Sequence, residues 1–269
     1  MVAAFTSAKM PACNVCNVPR NERQARLVLE QARAELAPSG VLRTAVNLAN
    51  FLLVTGQSPS GDPEGVSPDL ALAIADRLGV EVAYVQFDTP GELADAVADD
   101  VWDIGTIGAE PERAKTITFT PAYVEIEATY LVPAESSIGA IGEVDREGVR
   151  IAVSARSAYE LWLSDHIEYA ELVMANGLDA SFDLFEERKL DALAGLRPKL
   201  MTDVEKLPGA RILDGKFTAV QQAVGARPGA VAGAAFLRDF VEEAKSSGLI
   251  ASLIEKHGVS GQLTVAPVA

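Results

Sequence analysis

The stretch Val101-Trp102-Asp103-Ile104-Gly105-Thr106-Ile107-Gly108-Ala109-Glu110-Pro111-Glu112-Arg113, running on to Thr118-Phe119-Thr120-Pro121-Ala122-Tyr123, decides how the rest of the chain is read. A short apolar strand ends in small residues at Gly105, Thr106 and Gly108, where main-chain N–H groups are expected to lie open. Pro111 then starts a helical turn that carries Arg113. Free amides and one guanidinium converging on a point make a grip for a planar anion, with charge-assisted and bidentate geometry that lysine does not match. The same residues also fit a strand–turn–helix junction whose arginine is simply solvated, so the surrounding chain has to decide.

Composition narrows the choices. The 269 residues fit one large domain or two lobes of ordinary size, and 49% apolar residues suffice for a core. A formal charge of -15 argues against nucleic-acid binding and against adhesion to anionic lipid. An anion site would then be a local positive pocket in a negative protein. No run approaches the roughly 18 apolar residues of a membrane span. The first residues show no basic end followed by an apolar stretch, so no secretion signal is readable. Cys13 and Cys16 form a lone C-x-x-C, which is half a zinc site without the context of a redox motif. No metal and no cofactor are expected.

Outward from the opening stretch, the pattern alternates strand and helix. After Pro19, Ala25, Leu29, Ala32 and Leu36 recur on one helical face; this helix, within residues 1–39, is expected to be a leader appended to the fold. Residues 41–46 read as a strand and 56–65 as a polar loop, and Ser67-Pro68 read as a helix start closed by Gly79. Residues 80–87 read as a strand, and Thr89-Pro90-Gly91-Glu92 as a capping box. The β-α-β-α-β order implies a largely parallel sheet, and ligands of such sheets sit beyond the carboxyl ends of the strands. After a Ser/Gly-rich link at 135–139 the logic restarts. A strand over 148–153 precedes a second capping box, Ser157-Ala158-Tyr159-Glu160; then come a strand at 172–174, a helix over 181–189 and a strand over 190–194. Residues 211–224 read as an extended return, 231–245 and 249–256 as helices, and the residues after Ser260 as a loose tail.

Four stretches in this order resemble the extracytoplasmic solute-binding proteins, family 3, that serve amino-acid ABC transporters. They are Gly65 through Val80, Trp102-Asp103-Ile104-Gly105 with Glu110-Pro111-Glu112-Arg113, Phe119-Thr120-Pro121-Ala122-Tyr123, and Gly248-Leu249-Ile250 to His257-Gly258. The resemblance covers residues 41–258. It implies an α/β fold of type II periplasmic binding proteins, with two lobes, each a mostly parallel sheet flanked by helices. Lobe 1 would be discontinuous, residues 40–131 and 222–269, and lobe 2, residues 132–221, would be inserted through hinge strands near Tyr130 and Val220. It further implies non-catalytic capture of a small carboxylate-bearing solute, an extracytoplasmic location, ABC transporter membrane subunits as partners, and a monomer as the simplest state.

The resemblance also assigns roles. Arg113 would grip a carboxylate, with Gly108 and Thr106 supplying an amide and a hydroxyl and Ile107 between them. Ser154, Arg156, Ser157, Ala158 and Tyr159 would complete the grip from the second lobe at a helix start, itself an anion site. Asn47, Asn50 and Phe51 would lie at the end of the first strand. Two departures matter. Where the family carries an aspartate for a ligand ammonium, this chain has Leu196 followed by Arg197, so either Glu110 or Glu127 serves or the ligand lacks an amine. A loop glycine of the family is replaced by Arg156; with Arg113 and Arg197 facing one cleft, a dicarboxylate becomes an alternative to an amino acid. Arg156 and Arg197 as surface arginines, and Glu127 as a solvated carboxylate, remain alternatives. Two other functions stay open. One is a cyclohexadienyl-dehydratase-like enzyme using Glu110 or Glu127 as general acid. The other is a ligand-sensing module. His166 and His257 are expected to be structural or exposed.

Overall fold

The structure, a computed structural model, describes residues 20–269, so Cys13 and Cys16 lie outside the described residues. Helix α1 (Arg20–Leu36) is not the appendage its position suggested. Its apolar face deepens toward the C-terminal end, where Ala32 and Leu36 join the main core. Strand β1 (Val41–Asn47) follows, and the expected polar loop contains a small hairpin of β2 (Gly56–Gln57) and β3 (Pro63–Glu64).

Helix α2 (Val66–Leu78) begins one residue before the expected serine. Gly65 stands at its N-cap with φ 153°, and a Cβ there would meet Leu53 O at 2.2 Å, so only glycine passes. Ser67 does not cap; its Oγ lies 2.8 Å from the buried Tyr123 hydroxyl, which locks α2 to the later Tyr123 of the third signature stretch. Strand β4 (Glu81–Phe87) leads to α3 (Pro90–Asp95), capped as its sequence indicates by Thr89 Oγ1 accepting from Glu92 N at 3.2 Å.

Strand β5 (Ile104–Gly108) starts later than the apolar run suggested, because the two residues before it are used as fasteners. Trp102 is fully buried and donates to Leu93 O. Asp103, 2% exposed, receives both arms of Arg43 at 2.8 and 3.0 Å and Arg227 at 3.0 Å.

The remaining elements are β6 (Thr118–Phe119), β7 (Val124–Val132), β8 (Arg150–Ser154), α4 (Ala158–His166), β9 (Glu171–Ala175), α5 (Leu178–Glu187), β10 (Ala192–Leu196), α6 (Arg197–Val204), β11 (Arg211–Ile212), β12 (Thr218–Ala226), α7 (Val231–Ser246), α8 (Leu249–Lys256) and β13 (Thr264–Val265). Two findings correct the sequence expectations. Helix α6 was not foreseen, although Pro198 marks its first turn. The last residues are no loose tail, since β13 pairs with β7, Ala266 N donates to Tyr123 O, and Lys245 Nζ donates to Pro267 O at 2.7 Å.

The strands form one mixed sheet in the order β4-β1-β5-β12-β7-β10-β8-β9, with β6 on β12 and both β11 and β13 on β7. Three parallel strands stand at each end, β4-β1-β5 and β10-β8-β9, and the long antiparallel strands β12 and β7 run between them. One half of β12, Gln222 to Ala226, pairs with β5, while Thr218 to Gln222 pair with β7. Tyr130 and Val220 fall on these two strands. The restarted strand–helix alternation is thus two parallel units joined through a shared antiparallel centre. Helix α1 packs on α7, where Gly233 N donates to Glu35 Oε2 at 2.8 Å and lies too close to Leu36 to tolerate a Cβ.

Candidate ligand-binding cleft

The carboxyl ends of strands from both parallel units open onto one cavity of about 380 Å³. Asn47 and Gly108 close β1 and β5 on one side; Ser154 and Leu196 close β8 and β10 on the other. This is the position that a parallel α/β unit reserves for ligands, and here two units present it to each other. A larger cavity of about 770 Å³ involves the link at 133–138 and takes no residue from the first unit.

Arg113 sits on a 3₁₀ turn over Arg113–Lys115 after Pro111, and it is only 5% exposed. Its Nη1 donates to Gly108 O at 3.1 Å and lies 2.6 Å from Glu110 Oε2. Its Nη2 crosses the cleft and donates to Arg156 O at 2.9 Å. Burial pulls against the guanidinium's charge and Glu110 supports it. For Glu110, burial pushes the carboxyl above its usual range while Arg113 opposes the shift.

The facing wall is the start of α4. Ser157 caps it by accepting from Glu160 N at 3.1 Å; Glu160 reaches back past the cap to accept from Arg156 N at 2.8 Å, while Ser157 N donates to Ser154 O, so the expected box forms in its capping half and its return bond falls one residue early. Ala158 and Tyr159 occupy the first turn, where helix N–H groups have no partner within the helix, and both line the cavity. Burial pushes the Tyr159 hydroxyl up to about 12, so it is a neutral donor at any physiological pH.

Arg156 has a left-handed backbone at φ 58°, a conformation that favours glycine. From the loop before α4 its side chain clasps α3: both oxygens of Asp95 at 2.6 and 2.9 Å, and Gly91 O at 3.2 Å. A Cβ at position 91 would collide with the guanidinium. Hydrogen bonding from Arg156 holds the Asp95 carboxyl below its ordinary value.

Of the residues expected at a site, the cavity gathers Asn47, Asn50, Gly108, Arg113, Ser154, Arg156, Ser157, Ala158, Tyr159 and Leu196. Asn50 is buried and its Oδ1 has no hydrogen-bond partner. The others lie elsewhere. Phe51 is partly exposed outside the lining, and Ile107 belongs to the core with Leu93 and Trp102. Thr106 Oγ1 donates to Ala45 O inside the sheet, and β5 is flanked by β1 and β12, so the Gly105 and Thr106 backbone is engaged rather than open. Glu110 stands behind Arg113. Glu127 and Arg197 pair with each other at 2.9 Å, with Lys216 beside Glu127 at 3.4 Å, which removes both from the cleft.

Sequence reasoning missed the β4–α3 junction, where Asp88, Thr89, Pro90 and Glu92 line the cavity. It also missed the β9–α5 junction at Asn176, Gly177 and Leu178, and Val220 with Gln222 on β12. The junctions were findable, because each follows a strand of a parallel unit. The β12 pair carries no local signal and depends on how the strand crosses the sheet. Among the described residues no group of His, Cys, Asp or Glu is arranged for a metal, and no helix is long and apolar enough to cross a membrane.

Among solved structures, a mutant of ArgBP from T. maritima is 22% identical, with a TM-score of 0.67 over 84% of this chain and 99% of that one. An amino acid ABC transporter substrate-binding protein, AbpA from Streptococcus pneumoniae, bound to L-arginine, is 20% identical, with a TM-score of 0.66 over 82% of this chain and 96% of that one. An ancestral amino-acid-binding protein described as a precursor of cyclohexadienyl dehydratase is 21% identical, with a TM-score of 0.67 over 82% and 96%. At these identities the likeness establishes the two-lobed fold alone. No curated protein matches the sequence. The family model that matches spans residues 49–260 and is that of the bacterial extracellular solute-binding proteins, family 3, a family of binding proteins. A solute-binding role therefore belongs to the chain, which is a member of the bacterial extracellular solute-binding proteins, family 3.

Proposed function

We propose that the chain is the substrate-binding component of an ABC importer, acting outside the cytoplasm as a monomer and capturing a small carboxylate-bearing solute, an amino acid or a related organic acid. Residues 40–131 with 222–269 form one lobe in this reading and residues 132–221 the other. Strands β7 and β12 are the hinge, so that closure presents a loaded shape to the membrane subunits.

The observation that carries the reading is convergence. Arg113 from the first unit and the first turn of α4 from the second meet across one cavity. A carboxylate between them would face a guanidinium on one side and a helix N-terminus on the other, two independent preferences for negative charge. The unpartnered Oδ1 of Asn50 supports a ligand that also donates, because a buried acceptor left unpaired costs about 1–3 kcal/mol. That favours an amino acid over a dicarboxylate, with an amide in place of the carboxylate that Leu196 does not supply. The neighbour bound to L-arginine supports starting the search with amino acids. The enzyme alternative needed a free carboxylate against the ligand; Glu127 is held by Arg197 outside the cavity lining, and Glu110 is held by Arg113 in this structure.

A thermal-shift screen over amino acids and mono- and dicarboxylates tests the reading, since a ligand above its dissociation constant raises the melting temperature. The best hit is then titrated against Glu110→Gln and, relative to it, against the double variant Arg113→Met with Glu110→Gln, which removes both members of the buried pair and strands neither charge. Affinity is expected to fall about 10- to 100-fold, the worth of a charge-assisted hydrogen bond. Unchanged affinity would show that Arg113 does not hold the ligand.

A further inference from the structure

The guanidinium on which carboxylate capture depends already has an occupant. Glu110 and Arg113 are 8% and 5% exposed, and their closest atoms are 2.6 Å apart. Glu110 lies folded against the end of β5, where a Cβ at position 108 would come within 2.5 Å of Glu110 Oε1. Glycine at 108 is therefore what allows the carboxylate to lie there. A ligand carboxylate that reaches Arg113 meets a second, resident carboxylate.

Resting on the carboxylate reading above, we infer that Glu110 is an internal competitor for Arg113, and that a ligand carboxylate binds by taking its place on the guanidinium while Glu110 stays in the site as the neutral acid. Two ionised carboxylates sharing one guanidinium out of water repel each other, and one of them relieves the repulsion by taking a proton. Glu110 is prepared for that role, since burial already disfavours its charged form more than Arg113 and a hydrogen bond from its own backbone N–H sustain it. The other charged groups acting on the pair are Arg156, on the facing loop, and Glu160, on α4, which accepts from Arg156 N and from Ser164 Oγ. The proton comes from solvent and forms one O–H bond on Glu110, which then offers a donor to the ligand's oxygen. Binding takes up one proton, so affinity for a carboxylate rises about tenfold for each pH unit lowered, over the range in which free Glu110 is ionised and bound Glu110 is neutral.

The test compares wild type with Glu110→Gln by thermal shift, using the twenty amino acids and simple mono- and dicarboxylates at pH 7.5 and pH 5.5. The amide cannot pair with Arg113 as an ion, so the variant is expected to bind carboxylates more tightly than wild type at the higher pH and to show little pH dependence. In wild type alone, calorimetric titration of the best compound in phosphate and in Tris should differ by the ionisation heat of about one proton taken up; this arm does not require the variant to fold. Binding without proton uptake, or equal affinities with equal pH dependence in the two proteins, overturns the role of Glu110 and leaves carboxylate capture standing. If no carboxylate shifts either protein at either pH, carboxylate capture itself falls and the competitor role with it.

Discussion

Asp103 shows how much one buried carboxylate can organise. It is shared by Arg43 of β1 and Arg227 just beyond β12, so the two strands flanking β5 are tied to the same side chain. Hydrogen bonding to Asp103 raises the Arg43 guanidinium further above its ordinary value. Asp103→Ala would leave the two arginines with only the exposed Asp100 as a carboxylate partner, and chemical denaturation should read a loss of about 1–3 kcal/mol. Arg156 is a different case. Its pair with Asp95 is largely exposed and contributes at most about 1 kcal/mol to folding, yet it joins α3 to the loop before α4 across the cleft. Asp95→Asn is therefore expected to leave the melting temperature nearly unchanged while the ligand-free protein opens. Small-angle scattering would report that opening as a larger radius of gyration; an unchanged radius would show that the clasp does not hold the lobes together.

Among the elements, α1 and β13 were underestimated for one reason. Both bury apolar or backbone groups against distant parts of the chain, and periodicity reports only what is local. Leu36 is 1% exposed against α7, so Leu36→Ala should cost about 2–5 kcal/mol, readable by urea denaturation. Helices α2 and α8 are joined by Asp69, which receives Lys256 at 2.7 Å and His257 at 2.6 Å. Burial pushes the Asp69 carboxyl upward, but hydrogen bonds from Lys256 and His257 outweigh it and hold the group below its ordinary value. A carboxyl lowered by folding contributes stability above its unfolded pKa, about 4, and loses it as pH falls through the folded value. Asp69→Asn is thus expected to lower the melting temperature at pH 7 and to make progressively less difference as pH falls through the folded value.

The two capping boxes, the glycine stops and the strand–helix alternation were legible because each is written within a few residues. Thr89 and Ser157 cap as their sequences indicate. Arg113 was legible as a residue of the cavity, which it lines. That its charge is shared with Glu110 was not, since three residues' separation on a tight turn does not reveal which way a carboxylate folds. The pairing of Arg197 with Glu127 was hidden for the same reason, because residues 70 positions apart meet only once β7 and β10 are side by side.

At the scale of the whole molecule, the two parallel units connect through β7 and β12, and the proposed closure would bend these strands. Trp162 lies near this centre, its ring 5.5 Å from Phe217, which in turn packs 4.6 Å from Tyr130 on β7, whereas Trp102 is fully buried. Saturating ligand is expected to change the fluorescence contributed by Trp162, and Trp162→Phe should abolish that change while preserving binding. The most direct measurement is a crystal structure of the protein with the best compound from the thermal-shift screen. The expected result is a carboxylate held between Arg113 and the first turn of α4, with Glu110 displaced from the guanidinium. A compound bound outside this cleft, or inside it with the Arg113–Glu110 pair intact and no ligand oxygen on Arg113, would contradict the assignment.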